Sequence, residues 1–412
     1  MTAQIAPDAG APAASPSTSP TGDPWLLTPG PLTTSPSVKQ AMGHDYGSRD
    51  GHFIEINRRM RERLVAIAGG GPGGGTGGGT GGRTSGEANG DASHVCVPLQ
   101  GSGTFVVEAM LGTFVPADGK LLILVNGAYG HRMARICRYY GRATVIQETP
   151  EDVPVDPEAL DRALAADSDI SHVAVVHCET TSGILNPIEA VAEVTARHRR
   201  GLLIDAMSAF GALPLDARAL NADAVVASSN KCLEGSPGLG YCIARKAALE
   251  ATEGNAPSLT LDLYDQWVAM EKNGQWRFTP PTHCILALDQ ALTEFEAEGG
   301  VAGRGGRYRE NCRILVEGMR ALGFQTLLPD ALQAPIIVTF HLPGDPNFHF
   351  ETFYESLRAQ GYVIYPGKLT VAESFRIGCI GRLGAEQMRG ALAAVEAALT
   401  EMKVRNRAPA AA

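Results

Sequence analysis

From Val95 onward the chain alternates between short runs that are apolar throughout and longer stretches whose apolar residues recur every three or four positions. VCVPL is followed by FVVEAMLGTFV, LLILVN by HRMARICRYYG, and VAVVHC by IEAVAEVTARHRR; LLIDAM, AVVASS and LGYCIAR come next. An unbroken apolar run suits a strand buried on both faces, and a 3.6-residue repeat suits a helix that covers it. Strand and helix taking turns predicts an α/β fold with a mostly parallel sheet flanked by helices. A helical pattern over 53–68 precedes the first strand. Beyond about Gln290 two helical patterns, the strand-like runs PIIVTFHL and SFRIGCI, and an Ala-rich helix over 385–404 predict a small α+β domain. The expected organisation is a large domain over 25–290, a small one over 291–405 and a short tail over 406–412.

Two tracts fall outside this rhythm. The first 24 residues are rich in Ala, Pro, Ser and Thr but have neither the basic nor the apolar region of a secretory signal, so they read as a disordered leader. Residues 69–93 are dominated by glycine. No GxxxxGK[ST] pattern occurs there, and an unpatterned tract of that length has too much chain entropy to form a preformed phosphate cradle. It reads as a surface insertion.

Composition narrows the class of partner. Of 412 residues, 44% are apolar and 19% charged, ordinary values for a globular enzyme, and no run of about 18 uncharged apolar residues predicts a membrane span. The net charge of −9 carries no basic stripe, so neither nucleic acid nor an anionic membrane is expected, and a small molecule is. Eight cysteines stand singly with no CxxC, which argues against a zinc site or disulfide framework and for a reducing, cytoplasmic setting. No bound metal is expected.

In a sheet of this kind the chemistry gathers beyond the carboxyl ends of the strands. The first strand runs into QGSGTFVVEAM, where Ser102, Gly103 and Thr104 open a helix. Its unpaired N–H groups and the two hydroxyls suit a phosphate, although an ordinary N-cap uses the same residues. Tyr129, in NGAYGHR, can lay its ring on a flat heteroaromatic ligand or simply pack in a core. His177, Glu179, Thr180 and Thr181 cluster before a glycine turn, where each can equally be a satisfied structural group. Asp205 closes the strand LLID and is expected to be buried, which requires a cation or donor against it; a protonated pyridine nitrogen serves. Lys231 sits in SSNKCLEGSPGLG, in a glycine-rich loop just past a strand. Phosphate cradle, aromatic face, buried acid and lysine together describe a socket for pyridoxal 5'-phosphate. Lys231 would hold the aldehyde covalently and later move a proton, and Asp205 would keep the ring nitrogen protonated.

The segments LLTPGPLTTS, PLQGSGTFVVEAM, NGAYGHRM, HCETTSGILNP, IDAMSAFGA, SSNKCLEGSPGLGY, RFTPPTHCILAL and SFRIGCIG, in that order, resemble the class V, fold type I aminotransferases. The resemblance spans roughly residues 26–404 apart from the glycine tract. It implies a seven-stranded, mostly parallel sheet in the large domain and a small C-terminal domain. It also implies roles for the matching residues. Ser102, Gly103 and Thr104 hold the cofactor phosphate with help from Asn230, Tyr129 stacks on the ring, Met207 lies against its other face, and Thr181 lies near the 3′-oxygen. Thr279 reaches the phosphate of the neighbouring subunit's cofactor, which implies a homodimer with shared active sites. Arg376 matches the arginine that grips a substrate carboxylate, and Gly30 and Arg49 match parts of the active-site rim. The activity implied is amino transfer from 2-aminoethylphosphonate to pyruvate, giving phosphonoacetaldehyde and L-alanine. Alanine:glyoxylate or serine:pyruvate exchange is the alternative on the same fold, and a non-catalytic cofactor-binding protein the remote one.

Overall fold

The computed structural model describes residues 17–69, 93–367 and 372–410. Seven strands, His94–Gln100 (β1), Lys120–Val125 (β2), Ala143–Glu148 (β3), Ile170–Val176 (β4), Gly201–Asp205 (β5), Ala224–Ser228 (β6) and Leu239–Arg245 (β7), form one sheet in the order β3-β2-β4-β5-β6-β7-β1. The five strands from β3 to β6 pair in parallel, and β7 runs antiparallel to both of its neighbours. Alternate residues face opposite ways, as the pleat requires. Leu122 and Leu124 of β2 enter one apolar core, with Val173, Ile204 and Val225; Leu121, Ile123 and Val125 enter another on the far face, with Ala174 and Leu203. The register Val176↔Asp205↔Val226 brings the ends of β4, β5 and β6 to one level, and the site is built there.

The expected helices form as Gly51–Ala68, Gly103–Phe114, Ala128–Tyr139 and Ile188–Arg197. Strand β3 is the strand of this sheet that the apolar pattern did not announce. It is an edge strand whose Ile146 is 46% exposed, so ATVIQE lacks the unbroken apolar run of its buried neighbours.

The C-terminal unit packs helices Gly300–Ala321, Phe350–Ala359 and Ala385–Glu401 with a three-stranded sheet of Ile337–His341, Ser374–Gly378 and Tyr365–Pro366. Phe340, Phe353, Phe375, Leu315 and Val395 form its core, and Trp25 and Leu27 belong to that same core. The strand Trp25–Leu26 pairs in parallel with Tyr362–Val363. A division that assigns residues 25–290 to the large domain therefore needs two corrections. The chain enters through the smaller unit, and residue 290 falls inside the helix Thr282–Ala297, whose Phe295 packs in the core below the sheet. The crossing lies within Gly300–Ala321, where Tyr308 joins that core and Leu315 and Met319 the other.

Residues assigned by composition to the leader and the tail are also held. Ser17 donates its N–H to Gln360 (3.0 Å) and accepts from Trp25 Nε1 (3.0 Å). Asp345 accepts from the N–H groups of Arg405 (2.8 Å) and Asn406 (2.9 Å). Short polar segments give little apolar signal, and backbone hydrogen bonds anchor them instead. The glycine tract, apart from its ends, lies outside the described residues. Among the described residues no helix is long and apolar enough to cross a membrane, and no group of three His, Cys, Asp or Glu side chains could hold a metal.

Candidate active site

Strand β5 delivers Asp205 to the end of the sheet at 3% exposure. Its Oδ1 accepts the N–H of Met207 (2.9 Å), which stabilises the carboxylate. Burial nevertheless dominates and pushes its pKa up to about 6, with the Met207 N–H and the charges of Arg132 and Lys231 pulling the other way.

Strand β6 ends at Ser228, and the turn that follows carries Lys231. Glu234 N donates to Lys231 O and Gly235 N to Ser229 O (both 2.8 Å), closing a tight loop. The loop is held from below by the helix Gly300–Ala321. Arg304, fully buried, donates to Cys232 O (2.6 Å), and Arg307 Nη2 (2.7 Å) and Tyr308 Oη (2.5 Å) both donate to Glu234 Oε1. Above the lysine, Nζ donates to Pro29 O (2.6 Å). Gly30 has φ +115°, and a Cβ there would stand 2.7 Å from Lys231 Cδ and 2.8 Å from Nζ. Only glycine fits both conformation and space. We expect Gly30→Ala to lower stability by about 1–3 kcal/mol through strain and contact, and to lower turnover as well. Thermal unfolding and steady-state rates check this.

Both residues open on a cavity of 330 Å³ that is also lined by Gly30, Ser102, Gly103, Thr104, Tyr129, Met207 and Asn230. Ser102 takes the N-cap position of the helix Gly103–Phe114 but makes no side-chain cap bond, so the first amides of that helix keep no internal side-chain partner. At Gly103 a Cβ would lie 2.5 Å from Met207 Sδ, so the missing side chain lets the methionine close one wall. Amine, buried acid and helix amino terminus match the three handles of pyridoxal 5'-phosphate: aldehyde, ring nitrogen and phosphate.

Four expected residues stand elsewhere. Thr181 is buried, donating to Glu179 Oε1 (2.6 Å) and accepting from Ala128 N (3.0 Å), and does not line the cavity. Arg376, 3% exposed, donates to Thr180 O (2.8 Å) and to Pro366 O (3.1 Å) and does not line the cavity, and burial holds its pKa below the usual value. Arg49 and Thr279 line a separate hollow of 290 Å³ with Trp276, Arg277 and Phe278.

Residues 101–378 match the family model described as aminotransferase class-V. The chain belongs to the class V aminotransferases. It is 53% identical over 382 residues to a Burkholderia lata protein named 2-aminoethylphosphonate–pyruvate transaminase 2, covering 93% of this chain and 96% of that one. A Pseudomonas fluorescens protein named 2-aminoethylphosphonate–pyruvate transaminase is 52% identical, with 93% and 99% covered. Among solved structures, pyridoxamine-pyruvate aminotransferase from Mesorhizobium loti is similar with TM-score 0.81 and 25% identity, over 94% of this chain and 95% of that one. Alanine–glyoxylate aminotransferase from Nostoc sp. gives TM-score 0.80 at 22% identity, over 96% and 98%, and shows the fold. The architecture is therefore fold type I, and the protein is an aminotransferase.

For this class V chain the motif reading passed over two residues. Arg132 lines the cavity and was legible only as the residue one helical turn after Tyr129. Glu179, left open as one polar group among several, accepts from Tyr129 N (3.1 Å), Thr181 N (3.0 Å) and Thr181 Oγ1. Gly127, at the N-cap of the helix Ala128–Tyr139, offers no side chain, and the buried Glu179 takes that place and fixes Tyr129. Burial raises the Glu179 pKa, opposed by those hydrogen bonds.

Proposed function

We propose that this enzyme transfers the amino group of 2-aminoethylphosphonate to pyruvate, giving phosphonoacetaldehyde and L-alanine, with pyridoxal 5'-phosphate in the cavity between Lys231 and Asp205. The observation that carries the reading is the convergence of that amine and that acid on one 330 Å³ cavity in a chain 53% identical to a protein named for this reaction. When bound, the cofactor supplies an electron-withdrawing ring that stabilises negative charge at the substrate carbon bearing the amine.

The chain's own groups do the rest. Asp205 would meet the ring nitrogen and keep its proton in place; the environment that makes its charge costly when unpaired would make the ion pair strong. Lys231 Nζ, steered by Pro29 O, would take up the proton that leaves the substrate carbon and hold it for return on the far side of the amine nitrogen. Tyr129 and Met207, which line the cavity, would bound the ring, and Ser102, Gly103, Thr104 and Asn230 would receive the phosphate. Arg376, whose fork now donates to Thr180 O and Pro366 O, is the residue assigned to the carboxylate of pyruvate, since a planar fork suits a carboxylate.

A homodimer completes the reading. Arg49 and Thr279 share a hollow beside Phe278, which is 44% exposed, a surface suited to receive a second copy and pass Thr279 to its cofactor. The unpaired cysteines suit the cytosol. Alanine formation from pyruvate tests the substrate assignment: 2-aminoethylphosphonate is expected to exceed serine as donor by at least tenfold in kcat/KM, and alanine with glyoxylate is expected to turn over poorly. Equal or faster turnover of the latter pairs rejects it.

A further inference from the structure

We infer that Arg132 is the cationic partner of the cofactor's phosphate, a role that rests on reading the cavity as a pyridoxal 5'-phosphate socket. A phosphate at the start of the helix Gly103–Phe114 brings close to two negative charges, and the helix end offers roughly half a positive one. Ser102 and Thr104 add neutral hydroxyls. The remaining charge has to be met by a cation, and of the residues lining the cavity those with a basic side chain are Lys231 and Arg132. Lys231 Nζ donates to Pro29 O and is the amine assigned to the aldehyde.

Arg132 is built into the helix end. Its Nη1 donates to Thr104 Oγ1 (3.1 Å), in the first turn of the helix that presents the phosphate amides. The guanidinium carbon stands 4.9 Å from the centroid of the Tyr129 ring, so the residue expected to stack on the cofactor also fixes the arginine. Among the described residues it makes no ion pair, so its charge is not already matched. That charge reaches the cavity, since it is among the influences that pull the Asp205 pKa down against burial. A planar fork with one N–H on Thr104 has others left for phosphate oxygens. The contact with Thr104 also decides between the two anions the site must hold, because it places Arg132 at the cofactor's phosphate and leaves the substrate's anionic group to Arg376.

The test compares pyridoxal 5'-phosphate with pyridoxal, which lacks the phosphate, in full-length protein freed of cofactor. Binding is followed by the visible absorbance of the lysine-bound aldehyde. Arg132→Gln is expected to weaken pyridoxal 5'-phosphate by about 10- to 100-fold and pyridoxal by less than about threefold, with Arg132→Lys recovering part of the loss. Equal losses for both aldehydes would make the residue a packing element and overturn the inference. So would unchanged cofactor affinity with a raised KM for 2-aminoethylphosphonate, which would assign Arg132 to substrate. If Arg132→Gln does not fold, the same comparison on Arg132→Lys decides, a loss confined to the phosphorylated aldehyde supporting the assignment and an equal loss rejecting it. A wild-type protein that takes up neither aldehyde defeats the socket itself, an outcome distinct from any failure in the variants.

Discussion

Lys231→Ala is expected to give a folded, colourless protein whose rate of alanine formation is lower by at least about three orders of magnitude. The loss follows from position. The amine is the group of the cavity that can attack an aldehyde, and no neighbouring loop residue offers a second one: Asn230, Cys232 and Leu233 flank it, and burial pushes the Cys232 thiol up to about 12. Stability is expected to change little. The loop is held by Arg304 on Cys232 O and by Arg307 and Tyr308 on Glu234, none of which involves the lysine side chain. Thermal unfolding, visible absorbance and alanine formation on the same preparation separate the chemical loss from a folding defect.

Asp205→Asn is expected to act in opposite directions on empty and loaded protein. In the folded chain burial pushes the carboxyl's pKa up to about 6, against about 3.9 for a free aspartate. Between those values the folded chain keeps a proton that the unfolded chain has lost, so stability falls as pH rises from about 4 to about 6. Above that it stays lower by up to about 3 kcal/mol, two pKa units at 1.36 kcal/mol each. Asparagine removes the buried charge and keeps an oxygen for the Met207 N–H. Cofactor-free Asp205→Asn is therefore expected to unfold at a higher temperature than cofactor-free wild type at pH 7, with the two converging below about pH 4. With cofactor the order reverses, because the wild-type carboxylate then meets a ring N–H. Turnover of the variant is expected to fall by about a hundredfold or more, since an amide cannot keep the ring nitrogen protonated. Melting curves from pH 4 to 8, with and without cofactor, check the sign in each state.

The sheet was legible because six of its strands are buried on both faces and so are written as runs such as LLILV and AVVAS, whereas β3 at the edge, ATVIQE, needs a neighbour on one side only and escaped. Cavity-lining residues whose place follows from their own element were legible too: Asp205 at a strand end, Lys231 in the loop after the next strand, Ser102 to Thr104 at a helix start. Residues whose place depends on another element were not. Arg132 gains meaning only when two helices pack and bring it to Thr104, and Glu179 only when it reaches the start of the helix that carries Tyr129. Trp25 and Leu27 were assigned to the large domain by their position in the chain, yet they belong to the same core as Phe340 and Phe375, hundreds of residues away in sequence. The expected role of Thr279 concerns a second subunit, and one chain places it, together with the rim residue Arg49, only in a hollow apart from the cavity.

Borohydride reduction of the cofactor-loaded enzyme, followed by peptide mapping, asks where the aldehyde is held. The phosphopyridoxyl group is expected on the peptide carrying Lys231, in wild type and in Asp205→Asn, and on no peptide of Lys231→Ala. Label on another lysine, or none on a catalytically active enzyme, would contradict the assignment of this cavity.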